Sequence, residues 1–204
     1  MSGLREKQKK QRRALIEAAA IKLFEDKGFE LTTIDEIAEE ALVSPATVYN
    51  YYGTKGELLL ALVARGEEGT QSRLAEFVQR ADQDAPADLI GDIICGNMQD
   101  TLNYLSRELW GHVVAYVATT NDPEVGPRYI DTIADYLVEA LQQTLIKYME
   151  NGRLKKVDAA HFSTVLSRLE RNHFLGFIYL KSLTQEEMLE GVRRDVILLV
   201  ETLE

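Results

Sequence analysis

The feature that most constrains this chain is the stretch 32–55, in which three helix-start signals follow one another closely. These signals are Thr33 with Glu36, Ser44 with Pro45, and Thr54 with Glu57. A hydroxyl side chain at such a position accepts a hydrogen bond from the first turn of a helix, and proline suits the first helical position. Only two short helices, about 34–41 and 45–51, fit between the signals. The spacing therefore predicts a helix-turn-helix, whose second helix enters the DNA major groove.

The apolar pattern within this stretch agrees with the prediction. One face of each short helix is apolar, with Ile34, Ile37, Ala38 and Ala41 on the first and Val48 and Tyr52 on the second. The outward groups of the second helix are small or form hydrogen bonds: Ala46, Thr47, Asn50 and Tyr51, with Tyr49 beside them. Such a surface suits close approach to base edges and phosphates.

Lys55 is unusual because it lies in the first turn of the next helix, where the macrodipole disfavours a cation. A DNA phosphate at this helix start would remove the conflict. The alternative is a solvated surface lysine.

The run from about 14 to 59 resembles the DNA-binding domain of the TetR (tetracycline-repressor-like) family of bacterial regulators. The segments AAAIKLFEDKGFELTTIDEIA and VSPATVYNYYGTKGELL carry the resemblance. It implies phosphate contacts by Thr33, Tyr49, Tyr51 and Lys55, positions close to the bases for Pro45, Ala46, Thr47 and Asn50, and a place at or near the DNA for Ser44. One departure is Leu42, which stands where the family usually has glycine in the turn. A leucine there must adopt a positive φ or reshape the turn.

The charge of the chain is unevenly distributed. The formal net charge is −10, yet residues 1–55 carry nine basic and nine acidic side chains, and residues 1–13 carry six basic and one acidic. The acidic excess therefore belongs to residues 56–204, and the end expected to face DNA keeps its positive charge. A single cysteine, no apolar run long enough for a membrane span, and no signal peptide together predict a cytoplasmic protein without membrane contact.

Helical periodicity along the whole chain predicts an all-α fold of about nine helices without strands. We expect a three-helix helix-turn-helix domain at 1–55 and a larger ligand-binding and dimerisation domain at 56–204. Residues 1–10 are expected to be irregular, either as a solvated tail or as an arm that touches DNA.

Nothing in the sequence favours catalysis, a metal or a cofactor. There is no P-loop, G-x-G-x-x-G or H-E-x-x-H motif, and the three histidines have no mutual metal-binding spacing. Two classes of function remain: a repressor that binds a palindromic operator as a dimer and is released by a small molecule, and a helical interaction protein whose helix-turn-helix is purely structural. The outward face of the second helix favours the repressor.

Two further sets of residues are predicted in the C-terminal part. Apolar stripes on the last two helices, 162–180 and 188–203, resemble the pair that forms a dimeric four-helix bundle in the family; the alternative is that they face the chain's own core. The predicted dimer residues are Phe162, Val165, Leu169, His173, Phe177, Val192, Val196 and Leu199. The stretch 90–150 combines apolar bulk with polar tips, as ligand sites do, although such side chains are also ordinary core material. The predicted effector contacts are Met98, Tyr104, Trp110, His112, Tyr116 and Tyr136.

Overall fold

A computed structural model describes the backbone of residues 2–204 and all their side chains except those of 2, 67–73, 75, 131, 132, 134 and 135. Within these residues the chain is all-α, with no strand, as the sequence predicted. The helices are α1 (Ser2–Lys27), α2 (Ile34–Glu40), α3 (Pro45–Tyr52), α4 (Lys55–Gln79), α5 (Pro86–Tyr104), α6 (Arg107–Thr119), α7 (Val125–Glu150), α8 (Ala159–Tyr179) and α9 (Gln185–Val200), with short 3-10 helices at Arg80–Asp82 and Glu201–Leu203.

The N-terminal helix-turn-helix is present as predicted. The Thr33 hydroxyl accepts a hydrogen bond from the Glu36 N–H, and the Glu36 carboxylate accepts one from the Thr33 N–H, which completes the capping box of α2. Ser44 caps α3 by accepting from the Thr47 N–H at 3.2 Å, and proline occupies the first turn. These caps satisfy backbone donors that would otherwise lack partners at the starts of α2 and α3.

The start of α1 differs from the prediction. Residues 1–10 were expected to be irregular, but α1 already begins at Ser2. Lysine, arginine and glutamine are good helix formers and dominate this segment, so the helix extends through it. None of the helices in the described part of the chain combines the length and the apolar character needed to cross a membrane.

Contacts group the chain into two compact units. Unit 1 contains the residues up to Arg65 together with Leu105–Asp122, and unit 2 contains Gly66–Tyr104 together with Pro123–Glu204. Helix α6 therefore packs in unit 1, and α4 contributes to both units. This grouping differs from a division at residues 55 and 56, which remains a prediction about where the functional domains meet.

Each unit has its own apolar core. The fully buried side chains of unit 1 include Ile16, Ala20, Ile37, Ala38, Val48, Leu58, Leu59 and Leu62. Those of unit 2 include Ile90, Ile94, Met98, Leu141, Leu145, Leu166, Val192 and Val196. In unit 1 this core is the surface on which the short helix α3 rests.

The turn of the helix-turn-helix keeps its shape despite the leucine. Leu42 adopts a φ of 55° and is the one non-glycine residue with positive φ among the described residues. Its side chain is 92% exposed, so it meets no steric obstacle beyond its own backbone. The left-handed conformation costs a non-glycine residue about 1–2 kcal/mol. The turn between α2 and α3 therefore contains one locally strained residue.

Candidate nucleic-acid interface and ligand site

Helix α3 presents the predicted outward residues to solvent because its other face is anchored. Val48 is fully buried and Tyr52 is 4% exposed. The predicted DNA contacts at Ser44, Pro45, Ala46, Tyr49 and Asn50 are exposed, as is Thr33 at the start of α2, and Thr47 and Tyr51 are half-buried. The accessible face of α3 therefore coincides with the residues that the sequence assigned to DNA.

The first turn of α3 is fixed by its own hydrogen bonds. The hydroxyls of Ser44 and Thr47 lie 2.8 Å apart and share a hydrogen bond, while the Thr47 N–H donates to the Ser44 hydroxyl. This pairing holds both side chains at the exposed end of the helix. Preorganised hydroxyls at this position suit hydrogen bonding to a base or a phosphate.

Positive charge is concentrated on α1, which belongs to the same unit as α3. The first half of α1 carries six exposed basic side chains, at Arg5, Lys7, Lys9, Lys10, Arg12 and Arg13. Basic side chains concentrated on one element are the electrostatic signature of nucleic-acid binding.

Lys55 has a role that the sequence analysis missed. Its ammonium group donates to the backbone carbonyls of Phe29 at 2.6 Å, Thr32 at 3.0 Å and Glu30 at 3.2 Å, and lies 4.4 Å from the centroid of the Phe29 ring. An ammonium has three N–H donors, so these carbonyls use all of them. The lysine thus joins the α1–α2 loop to the start of α4. A phosphate contact, which remains a prediction, would require it to release one of these carbonyls.

We expect Lys55→Ala to lower the free energy of unfolding by about 1–3 kcal/mol, because three carbonyls lose a charged donor. Chemical denaturation followed by circular dichroism measures this change. The matched control is Lys22→Ala, which removes an exposed ion pair with Glu40 (2.6 Å) and should leave the free energy of unfolding nearly unchanged, because solvent screens exposed ion pairs. A Lys55→Ala protein of unchanged stability whose DNA binding loses about one unit of salt slope would instead identify Lys55 as a phosphate contact.

Three of the predicted effector contacts, Trp110, His112 and Tyr116, lie on α6 and pack within unit 1. Trp110 is 4% exposed. The His112 ring lies 4.8 Å from the Phe29 ring, and its Nδ1 is 3.4 Å from the Glu30 carboxylate. The Tyr116 ring lies so close to Gly56 that a Cβ at residue 56 would overlap it. These contacts of His112 and Tyr116 are therefore with residues of unit 1.

The other three predicted effector contacts lie in unit 2. Met98 on α5 is fully buried, while Tyr104 on α5 and Tyr136 on α7 are half-buried. The Tyr104 ring rests against Gly66, where an added Cβ would lie 2.6 Å from it. The structure thus divides the six predicted effector contacts between the two units.

Unit 2 also contains a polar pair that the sequence analysis overlooked. Asn97 on α5 is 5% exposed and hydrogen-bonds to Glu170 on α8. Burial raises the pKa of the Glu170 carboxyl to about 7, although the Arg171 charge and the Asn97 hydrogen bond both lower it. The available signal in the sequence was Glu170, the one acidic residue of the largely apolar helix α8. Perturbed acids of this kind are concentrated at functional sites.

The pKa of Glu170 predicts a specific pH dependence. The folded chain holds this proton up to about pH 7, whereas an unfolded chain releases it near pH 4.3. Ionisation therefore favours the unfolded chain increasingly as pH rises through this window. We expect the stability of Glu170→Gln relative to the wild type to increase between about pH 4.5 and 7 and to level off above it. Urea denaturation at a series of pH values measures the difference.

Glu187→Gln is the control, because its stability relative to the wild type should decrease, and not increase, as pH rises. Backbone and side-chain hydrogen bonds from Thr184 lower the pKa of Glu187, so its contribution to stability is present above the unfolded pKa and is lost as pH falls. A relative stability of Glu170→Gln that does not change with pH would contradict the raised pKa of Glu170.

The predicted dimer residues fall into two groups. Phe177, Val192 and Val196 are buried in the core of the chain's own unit, so they have no surface left for a second copy. For these three the burial favours the alternative of an intrachain role, since Phe177 on α8 and the stripe of α9 at every fourth residue face inward. Half-buried positions are Phe162, Val165, Leu169, His173 and Leu199.

Helix α9 also exposes apolar side chains that the stripe did not include. Ile197 and Leu198 are 38% and 69% exposed. In the sequence, the unbroken apolar run from 196 to 200 indicates this exposure, because five consecutive apolar residues cover more than one face of a helix. His173 bridges α8 and α9 within the chain, with Nε2 2.8 Å from the Asp195 carboxylate. A dimer contact made by α8 and α9 would therefore involve the half-buried residues of these helices together with Ile197 and Leu198.

Comparison with known proteins agrees with this geometry. The sequence profile of the family described as bacterial regulatory proteins, tetR family, matches residues 16–62. An HTH-type transcriptional regulator of Haemophilus influenzae is 30% identical over 144 residues, covering 67% of this chain and 68% of the relative. The HTH-type transcriptional regulator YvkB of Bacillus subtilis is 26% identical over 180 residues, covering 84% and 88%.

A solved structure shares the fold. FadR of Thermus thermophilus, described as a TetR-family transcriptional repressor in complex with lauroyl-CoA, superposes with a TM-score of 0.71. It is 23% identical in sequence, and the match covers 91% of this chain and 93% of that one.

Proposed function

This chain belongs to the tetR family of bacterial regulatory proteins and is a transcriptional regulator, and we propose that it acts as a repressor in the cytoplasm. In this proposal it binds an inverted-repeat operator as a homodimer and leaves the DNA when a small molecule binds. The observation that carries the proposal is the exposed outward face of α3, held in place by buried Val48 and Tyr52.

A purely structural helix-turn-helix is the weaker alternative. A helix that served only to pack would gain nothing from exposing Pro45, Ala46, Tyr49 and Asn50 together. It would also not require six exposed basic side chains on α1 of the same unit. Both features are expected where a helix enters the major groove of a negatively charged duplex.

The dimer sets the geometry of the operator. An isologous contact between two copies gives two copies of α3 related by a twofold axis, and such pairs read half-sites about one DNA turn, ~34–36 Å, apart. The half-buried apolar residues of α8 and α9, together with Ile197 and Leu198, support a contact at that end of unit 2.

Selection of bound duplexes from a random pool, followed by fluorescence anisotropy, tests DNA binding and dimerisation together. The wild type is expected to select an inverted repeat, with affinity that falls steeply as salt increases. Val165→Asp places a charge in the proposed contact and should yield monomers by light scattering, with at least tenfold weaker DNA binding. Ile146→Asp places the same charge at an exposed apolar residue of α7 and is the matched control.

Two results would contradict these expectations. If the wild type prefers no duplex at low salt, it is not a sequence-specific regulator. If Val165→Asp remains dimeric, the contact between copies lies elsewhere.

We further propose that the effector is a small molecule with an apolar group that binds in unit 2. The half-buried side chains of Tyr104 and Tyr136 provide aromatic surface there, fully buried Met98 lies on the same helix as Tyr104, and Asn97 with Glu170 provides polar groups. The similarity in fold to a repressor in complex with lauroyl-CoA supports an acyl-CoA as the first compound to examine. The proposed site is confined to unit 2, so Trp110, His112 and Tyr116, which belong to unit 1, are not included in it.

Isothermal titration with lauroyl-CoA, in parallel with anisotropy of the selected duplex, tests this proposal. Lauroyl-CoA is expected to bind and to release DNA, and Tyr136→Ala should weaken both effects about tenfold while DNA binding without ligand is unchanged. Tyr179→Ala, an exposed tyrosine of the same unit, is the control. An absence of binding would exclude lauroyl-CoA as the effector, and full sensitivity of the Tyr136→Ala protein to lauroyl-CoA would show that the site does not include Tyr136.

A further inference from the structure

A buried carboxylate lies behind the recognition helix. Glu17 on α1 is 7% exposed, although acidic side chains are rarely buried without partners. Its two oxygens have different partners: Oε1 accepts a hydrogen bond from the Tyr52 hydroxyl at 2.9 Å, and Oε2 forms an ion pair with the Arg65 guanidinium. One carboxylate thus connects α1, the last residue of α3 and the middle of α4.

The link to α3 is specific to tyrosine at residue 52. The ring of Tyr52 fills the core of unit 1, a task that a phenylalanine would also perform. The hydroxyl adds a directional bond to a charged acceptor, which is stronger than a neutral hydrogen bond. Burial and the bond to Glu17 raise the pKa of Tyr52 above its ordinary value, so the hydroxyl remains a donor well into the alkaline range. Arg13, also on α1, lies 6.0 Å from the centre of the same ring.

Arg65 gives the network a connection along α4. It is the last residue of unit 1, and α4 continues from it into unit 2. Its guanidinium holds the Glu17 carboxylate in one orientation, which in turn fixes the acceptor for Tyr52. A small rotation of α4 at Arg65 would therefore change the hydrogen bond at the end of α3.

We propose that Tyr52, Glu17 and Arg65 form a positioning network that sets the orientation of α3 and thereby the preference of the protein for its specific DNA sequence. The three residues do not belong to the exposed face that is proposed to touch DNA. Their effect on DNA is exerted through the position of Thr47 and Asn50, which lie on α3 and face outward. This inference rests on the proposed DNA-binding function and adds a determinant of specificity behind the interface.

The network makes a prediction that separates positioning from direct contact. Tyr52→Phe removes only the hydroxyl and should weaken binding to the selected duplex about fivefold, in line with the loss of one hydrogen bond. Affinity for a scrambled duplex should stay within twofold of the wild-type value. The specificity ratio, which is the affinity for the selected duplex divided by that for the scrambled duplex, therefore falls. The salt slope should not change, because no phosphate contact is lost.

A double-variant cycle tests whether the hydroxyl acts through the carboxylate that Arg65 holds. If it does, Tyr52→Phe should have a smaller effect in an Arg65→Gln background than in the wild type, since contacting residues of one network are not additive. Glu17→Gln retains an oxygen that can accept from Tyr52 and loses the ion pair, so it provides a second variant if Tyr52→Phe does not fold. It should also lower the specificity ratio with the salt slope unchanged.

The matched control is Tyr148→Phe in unit 2. Tyr148 is fully buried, and its hydroxyl donates to the Asp84 carbonyl at 2.9 Å, so the same atom is removed from a similar environment. Its DNA affinity is expected to equal that of the wild type. All variants are compared at a temperature at which circular dichroism shows them to be folded.

The outcomes separate this inference from the function on which it rests. A wild type without any preferred duplex overturns both. A wild type that binds specifically, next to folded Tyr52→Phe and Glu17→Gln proteins with an unchanged specificity ratio, overturns the positioning network alone. A specificity loss of the same size in Tyr148→Phe would also overturn it, because the effect would then be general.

Discussion

The arrangement of unit 1 depends on the burial of one face of an eight-residue helix. A helix as short as α3 (Pro45–Tyr52) is not stable by itself in water, so its order must come from the surface on which it packs. Val48 and Tyr52 supply that contact, and Ser44 satisfies the first turn. Because these three residues hold the helix from behind and from its start, the other outward side chains, such as Tyr49 and Asn50, are not needed for the packing of α3.

Local signals in the sequence were sufficient to predict the helix starts and the buried faces of α2 and α3 in unit 1. Caps and apolar spacing act within one or two helical turns, so Thr33, Ser44 and the buried face of α3 could be identified correctly. The role of Lys55 could not, because its three carbonyl partners lie more than twenty residues earlier in the chain. The packing of α6 with unit 1 was missed for the same reason, since no local pattern indicates which element a helix will meet.

Unit 2 shows where helical periodicity alone is ambiguous. An apolar stripe at every fourth residue indicates that a helix has an apolar face. It does not indicate whether the chain's own core or a second copy of the chain covers that face. Val192 and Val196 belong to the intrachain core, and the exposed Leu198 lies on another side of the same helix. The polar pair Asn97 and Glu170 is formed by residues distant in sequence, so it became visible only in the packed fold.

The central claim is that the outward face of α3 is the surface that meets DNA. Hydrogen exchange, measured by mass spectrometry with and without the selected duplex, tests it most directly. We predict slower exchange of backbone amides in peptides covering 44–55 and the start of α2 on DNA binding, with little change in peptides covering α7. Protein that binds DNA while exchange at 44–55 stays unchanged, and slows elsewhere, would contradict the account.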